Sequence, residues 1–217
     1  MSTYVMSDIH GCYDEFMYML KLIKFNNIDS LYILGDVLDK GPKSVEVLDY
    51  IIDHKNIFLI KGNHEKMFEE YFESGFDMIW YWGGKEIKGG HEKEKIMYKY
   101  IKNLPFIKVL DKYILVHAGL DFPEEYNELE LEDFLNQNEE TVLWNRDNIG
   151  SEKKYRDYTI ICGHTPVQFI NNNIKEPQII KRNGTIYIDC GCCYKEKNGR
   201  LACLRIDDNK EFYISKF

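Results

Sequence analysis

Long apolar runs are missing from this chain: no stretch approaches the ~18 uninterrupted apolar residues that a membrane-crossing helix needs. A basic excess is missing too, since Lys and Arg total 28 against 36 Asp and Glu, for a formal net charge of -8. Proteins that bind nucleic acid usually carry a basic face to displace counterions from phosphates, so that class is disfavoured while a local cationic pocket is not. Residues Met1 to Asp8 hold no basic stretch followed by an apolar one. No export signal, membrane anchor or nucleic-acid partner is therefore expected, and the default location is cytoplasmic. Repeats at solenoid periods and low-complexity tracts are absent as well.

Cysteine is present without the partners that would make it a zinc site. Cys190, Cys192 and Cys193 cluster, and Cys12, Cys162 and Cys203 stand apart, with no second Cys/His pair at zinc spacing. Reduced, structural thiols are the expectation. What remains is an ordinary folded composition, 44% hydrophobic and 29% charged over 217 residues. That suffices for a full core in one domain spanning 1–217.

Periodicity divides the chain in two. Residues 3–6, 31–34 and 57–60 read as strands, and each is followed by helical spacing: Phe16, Met19, Leu20 and Ile23, then Val45, Leu48, Ile51 and Ile52, then 65–73. The first half is thus β-α-β-α-β-α. An insert at 75–105, holding Trp80-Tyr81-Trp82-Gly83-Gly84 and a Lys/Glu-rich helical run, breaks the alternation. Strands resume at 113–116, 159–162, 185–188, 202–206 and 211–214, with turn pairs Asn183-Gly184 and Asn198-Gly199. An α/β or mixed α+β fold follows. Residues 121–140 carry nine Asp or Glu and no Lys or Arg, which reads as a solvated helix and loop that repels polyanions.

Polar side chains recur where strands stop: Asp8 and His10, Asp36 and Asp39, Asn63 and His64, His117, His164. Open α/β sheets gather ligands outside the carboxyl ends of their strands, so residues distant in sequence converge there. Asp8 and His10 sit two apart and would project to one side of an extended segment. Gly62-Asn63 alone reads as a turn pair that tolerates positive φ. A capped turn explains any one of these positions, but not all five strand ends together. Mixed His and Asp donors suit manganese, iron or zinc better than calcium. A carboxylate such as Asp36 can bridge two ions, a geometry suited to phosphoester hydrolysis.

In order, the blocks are Asp8-Ile9-His10-Gly11, Gly35-Asp36-Val37-Leu38-Asp39-Lys40-Gly41, Lys61-Gly62-Asn63-His64-Glu65, His117-Ala118-Gly119 and Gly163-His164-Thr165. Together they resemble the calcineurin-like metallophosphoesterases, and within them the serine/threonine phosphoprotein phosphatases. Leu143-Trp144-Asn145-Arg146, Tyr187-Ile188-Asp189-Cys190-Gly191 and Trp82-Gly83-Gly84 are similar to blocks of the bacterial and phage lambda-type subgroup. The resemblance implies a four-layer sandwich, two central mixed β-sheets flanked by helices.

It also implies two divalent cations, manganese first, with iron or zinc as alternatives. One would be held by Asp8, His10 and the bridging Asp36, the other by Asp36, Asn63, His117 and His164. Direct attack of a bridging hydroxide would hydrolyse phosphoserine or phosphothreonine, and phosphotyrosine in some cases, in a phosphorylated protein or peptide. His64, oriented by Asp39, would protonate the leaving group, while Arg146, Asn63 and Lys40 bind phosphate. The resemblance leaves symmetrical hydrolysis of diadenosine tetraphosphate as the alternative, and a silent scaffold of the same fold behind it. Glu65 and Asp39 favour the protein phosphatase, because the dinucleotide enzymes commonly have Asp after Gly-Asn-His and lack the acid-orienting Asp. The family's usual Arg is Lys at positions 40 and 61, which keeps the charge but loses the bidentate fork.

Overall fold

The structure, a computed structural model, describes residues 1–75, 90–147, 149, 153–171 and 175–215. The Trp80 to Gly84 stretch of the expected insert lies outside the described residues. In β1 (Thr3–Met6) successive side chains face opposite ways, so Tyr4 and Met6 enter one buried cluster and Val5 enters another. That alternation places the strand in a sheet covered on both faces.

The first sheet has the order β10-β9-β1-β2-β3. Its parallel part is β1, β2 (Ser30–Ile33) and β3 (Ile57–Leu59); β9 (Arg200–Arg205) and β10 (Lys210–Ser215) add antiparallel to β1 as a hairpin. The parallel strands are joined by α1 (Tyr13–Leu22) and α2 (Ser44–Asp53), followed by α3 (Asn63–Ser74). Their apolar faces, Phe16, Met19, Val47, Leu48, Ile51 and Phe68, cover the side of the sheet that presents Tyr4, Met6, Leu31 and Ile33. The next helix, α4 (Gly90–Ile101), packs beside α3 with Phe72 stacked on Tyr98 at 4.4 Å.

The second sheet has the order β4-β5-β6-β8-β7. Its centre is parallel, β5 (Tyr113–Val116), β6 (Thr159–Cys162) and β8 (Thr185–Tyr187), and its edges β4 (Ile107–Leu110) and β7 (Ile180–Arg182) are antiparallel. Val5, Leu34, Ile60, Ala202 and Leu204 from the first sheet share a core with Ile114, Val116, Ile161 and Ile186 from the second. Short helices α5 (Leu131–Phe134) and α6 (Glu139–Trp144) contribute Phe134, Val142 and Leu143 to the same core. Two mixed sheets flanked by helices are therefore observed, as the resemblance implied.

Neither edge strand β4 nor β7 stands out by periodicity, and both are half exposed. All six cysteines are free thiols and five are buried. Burial pushes the Cys193 thiol up to about 12 and raises Cys162 and Cys203 further, so the reactive thiolate is disfavoured at these positions. Among the described residues, no helix is long and apolar enough to cross a membrane.

Candidate metal centre

Five of the six strands in the two parallel cores lead into segments that carry the expected residues. Loops after β1, β2 and β3 bring Asp8, His10, Asp36, Asp39, Lys40, Asn63 and His64; loops after β5 and β6 bring His117 and His164. Hydrogen bonds from Asp8 N to Gly35 O, His10 N to Asp36 O and Gly163 N to His117 O tie the loops to one another.

Two local expectations fail. Asp8 and His10 are not extended: both have positive φ, 52° and 47°, so a turn brings them inward. Gly62 makes no positive-φ turn; its φ is -97° and it caps α3, whose first two residues are Asn63 and His64. Glycine is needed there because a Cβ would collide with Asp36. Gly163 likewise lets Ser7 and Asp8 approach, and Ser7 Oγ donates to Asp8 Oδ2, which also accepts from His164 N at 2.9 Å.

Glu65 braces this arrangement. Fully buried, its carboxylate accepts from the backbone N–H of Asp36 (2.7 Å), Gly62 (3.0 Å), Val37 (3.0 Å) and Leu38 (3.2 Å). It locks the Asp36 loop to the start of α3. Lys61 is equally committed, its Nζ 2.6 Å from Glu69 and 3.2 Å from Lys102 O.

The donor atoms converge. Asp36 lies between two groups, with Oδ2 3.5 Å from His10 Nε2 and Oδ1 3.4 Å from His117 Nε2. Asn63 Oδ1 is 2.8 Å from His117 Nε2 and 3.1 Å from His164 Nδ1, while Asp8 Oδ1 is 3.9 Å from His10 Nε2. Two trios of ligand atoms lie within 4.8 Å of one another: His10, Asp36 and His64, and Asp36, His117 and His164. The first trio contains His64, which the resemblance kept apart from metal. His64 Nδ1 meets Asp39 Oδ2 at 3.1 Å, and its Nε2 is 3.8 Å from Asp36 Oδ2.

The chemistry of this set fits divalent cations. Leu38 O accepts from His10 Nδ1 (2.9 Å) and Leu34 O from His117 Nδ1 (2.6 Å). Each contact puts the ring proton on Nδ1 and turns the Nε2 lone pair inward, the outer support expected of ligating histidines. Burial lowers the His10 and His164 imidazoles to about 3, which keeps them neutral. Burial opposes ionisation of Asp36, yet His117, His64 and His10 outweigh it and hold the carboxyl below its usual range. For His64, burial opposes a proton but Asp36 and the Asp39 hydrogen bond prevail and raise its pKa.

A cavity of about 240 Å³ opens over these residues, lined by Asp36, Asn63, His64 and His164 together with Lys40 and Arg146. Lys40 Nζ is 2.9 Å from His10 Nε2, and Arg146 Nε donates to His164 Nε2 at 3.2 Å. Sequence reasoning missed Asp189, which ends β8 as the other carboxylates end their strands and also lines the cavity. Burial and then the charge of Asp8 push its carboxyl well above the usual range. It missed Phe169 and Tyr194 at the cavity wall too. The strand-end rule could have found Asp189; nothing in the sequence marks the two rings.

Residues 1–195 match the calcineurin-like phosphoesterase family, and the chain belongs to it. Several curated relatives are named for one substrate class. A symmetrical bis(5'-nucleosyl)-tetraphosphatase of Wigglesworthia glossinidia brevipalpis is 36% identical over 132 residues, which cover 55% of this chain and 45% of that protein's length. A symmetrical bis(5'-nucleosyl)-tetraphosphatase of Buchnera aphidicola (subspecies Baizongia pistaciae) is 27% identical across 98% of this chain and 97% of its own. The bis(5'-nucleosyl)-tetraphosphatase PrpE [asymmetrical] of Anoxybacillus flavithermus is 28% identical across 93% and 89%. The fold is shared with a solved chain described as "Crystal structure of a putative diadenosine tetraphosphatase", TM-score 0.73 at 17% identity, covering 99% of this chain and 93% of that one.

These relatives overturn the expected serine/threonine protein phosphatase activity and its phosphoprotein substrate. The physical reason the expectation failed is visible at Glu65. Its four contacts are all to backbone N–H groups, and it does not line the cavity. A residue that meets no substrate cannot report which substrate is bound. The acidic 121–140 segment fails as a discriminator for a similar reason, because none of its residues lines that cavity.

Proposed function

We propose that this chain hydrolyses bis(5'-nucleosyl) polyphosphates, with diadenosine tetraphosphate as the representative substrate. The observation that carries the reading is the likeness to the Buchnera and Anoxybacillus proteins over nearly the whole chain. In this reading Asp8, His10 and Asp36 hold one divalent cation, and Asp36, Asn63, His117 and His164 hold the second. Manganese is the first choice, and iron or zinc suit the same donors. Such cations offset the charge of phosphoryl oxygens and lower the pKa of water.

The protein's own groups do the rest. Arg146 and Lys40 face the cavity, where a forked guanidinium and a point ammonium bind phosphate oxygens. His64 carries a proton on Nε2 toward the leaving oxygen, with Nδ1 held by Asp39. Glu65 keeps the Asp36 loop and the start of α3 in register throughout.

Incubation with diadenosine tetraphosphate and manganese, followed by ion-exchange separation of nucleotides, tests this. Hydrolysis that chelator abolishes is expected, and His117→Asn should lower it by about 100-fold or more, given that even outer partners of metal ligands cost 10- to 100-fold. Two ADP would mark symmetrical cleavage, ATP plus AMP asymmetrical. An intact dinucleotide beside rapid turnover of p-nitrophenyl phosphate would overturn the reading.

A further inference from the structure

We infer that Phe169 and Tyr194 form a nucleobase subsite at the rim of the metal-centre cavity, seating one base of the substrate while Lys40 and Arg146 face its phosphates. The inference rests on the dinucleoside polyphosphate reading. It begins with size. Pockets that enclose a whole small ligand run from about 300 Å³ upward, and this cavity is about 240 Å³. It has room for phosphates but not for a nucleoside as well, so a base attached to those phosphates lies at the mouth.

The mouth offers what a base needs. Among the described residues, four large aromatics are exposed: Tyr18, Phe58, Trp144 and Phe169. Single exposed aromatics call for no explanation, but Trp144 and Phe169 line this one cavity, with half-buried Tyr194 beside them. Trp144 already sets its ring edgewise against His164 at 5.9 Å. Phe169 is 53% exposed and meets Tyr194 edge to face, 6.4 Å between centroids and 87° between planes. A flat heterocycle can therefore stack on one ring and abut the other.

Cations alternate with these rings. Lys197 Nζ lies 3.9 Å from the Phe169 centroid, and Lys40 Nζ lies 5.5 Å from that of Tyr194. Even with the ammonium so close, 53% of Phe169 stays exposed, which leaves apolar ring surface for a base to stack on. Aromatic surface beside ammonium groups is the complement of a nucleotide, which carries a π-face next to anionic oxygens.

The rings are also fixed relative to the centre. Phe169 sits in a single helical turn, α7 (Val167–Ile170), where Val167 N donates to Asp189 O at 2.9 Å and Phe169 N to Pro166 O at 2.8 Å. Tyr194 N donates to Gly191 O at 2.8 Å, and Tyr194 O accepts from Gly199 N at 2.9 Å. These are the segments that follow His164 and Asp189, so platform and metal centre share one support.

Calorimetric titration of the manganese-loaded full chain with ADP and with inorganic pyrophosphate tests the subsite, because only ADP has a base. Removing an aromatic platform weakens binding of a stacked base by about 5- to 100-fold. Phe169→Ala should raise the Kd for ADP relative to that for pyrophosphate by that factor, and Phe169→Trp should restore the ratio. Phe169 is largely solvent-exposed, so the thermal melt should stay at the wild-type position. An ADP-to-pyrophosphate ratio identical in wild type and Phe169→Ala would overturn the subsite. Failure of the parent reading looks different: diadenosine tetraphosphate would then survive incubation with the wild type, whatever the binding ratio.

Discussion

His64 has one ring nitrogen held by Asp39 and the other facing Asp36 across 3.8 Å. A group so placed can donate a proton, and the value of that proton depends on how basic the departing oxygen is. When diadenosine tetraphosphate is cleaved the leaving oxygen belongs to a nucleotide phosphate, already a weak base. When an alkyl phosphate is cleaved it is an alkoxide. His64→Asn should therefore cost about 10-fold on the dinucleotide and about 100- to 10,000-fold on an alkyl phosphate, the usual span for general acid catalysis. Equal losses on both in steady-state assays would assign His64 a purely positional role. The ligand-type residues could be read from sequence because His, Asp and Asn recur at strand ends, and neither solubility nor turn formation requires five such ends at once. Glu65 and Lys61 could not be placed so, since a carboxylate or ammonium next to a ligand block looks the same whether it faces substrate or backbone.

At the scale of elements, α3 joins the site to the helices outside it. Its N-terminus presents Asn63 and His64, and its buried Glu69 pairs with Lys61 from the segment after β3. Lys61 also reaches the carbonyl of Lys102 just past α4, so one ammonium links three elements. Buried pairs of this kind are costly to break and cheap to replace as a unit. Lys61→Met alone should destabilise the fold by about 3–5 kcal/mol in urea titration, whereas Lys61→Met with Glu69→Leu should fall within about 1 kcal/mol of wild type. Losses that simply add would show that the two side chains act separately. The helices over the first sheet were legible because each has a one-sided apolar stripe. The edge strands β4 and β7 were not, since three or four half-exposed residues carry no clear period.

For the whole molecule, the proposed ligands come from both sheets: Asp8, His10, Asp36 and Asn63 follow strands of the first, His117 and His164 strands of the second. Ion binding would add a further bridge between two halves that already share an apolar core. A ligand that binds only the folded state stabilises it by about 2.7 kcal/mol at 100 times its Kd. Manganese should therefore raise the melting temperature in a saturable way, chelator should reverse it, and His117→Asn should blunt it. A melt indifferent to manganese would count against the ligand set. The two-sheet fold was legible only through the resemblance, because pattern alone gave a strand-rich second half without saying that its last hairpin returns to the first sheet.

Thirteen described non-glycine residues have positive φ, and six of them are Asp8, His10, Asp36, Asp39, Lys40 and His164. An L-residue held left-handed costs about 1–2 kcal/mol, a penalty glycine escapes. Suppose a random library of this gene were sorted only for survival of heating. Glycine would be enriched soonest at Lys40, whose side chain is the most exposed of the six. Selection for endurance and selection for chemistry thus pull in opposite directions on the same few codons, so a cluster of glycine-enriched positions among heat survivors would mark the centre before any substrate had been tried.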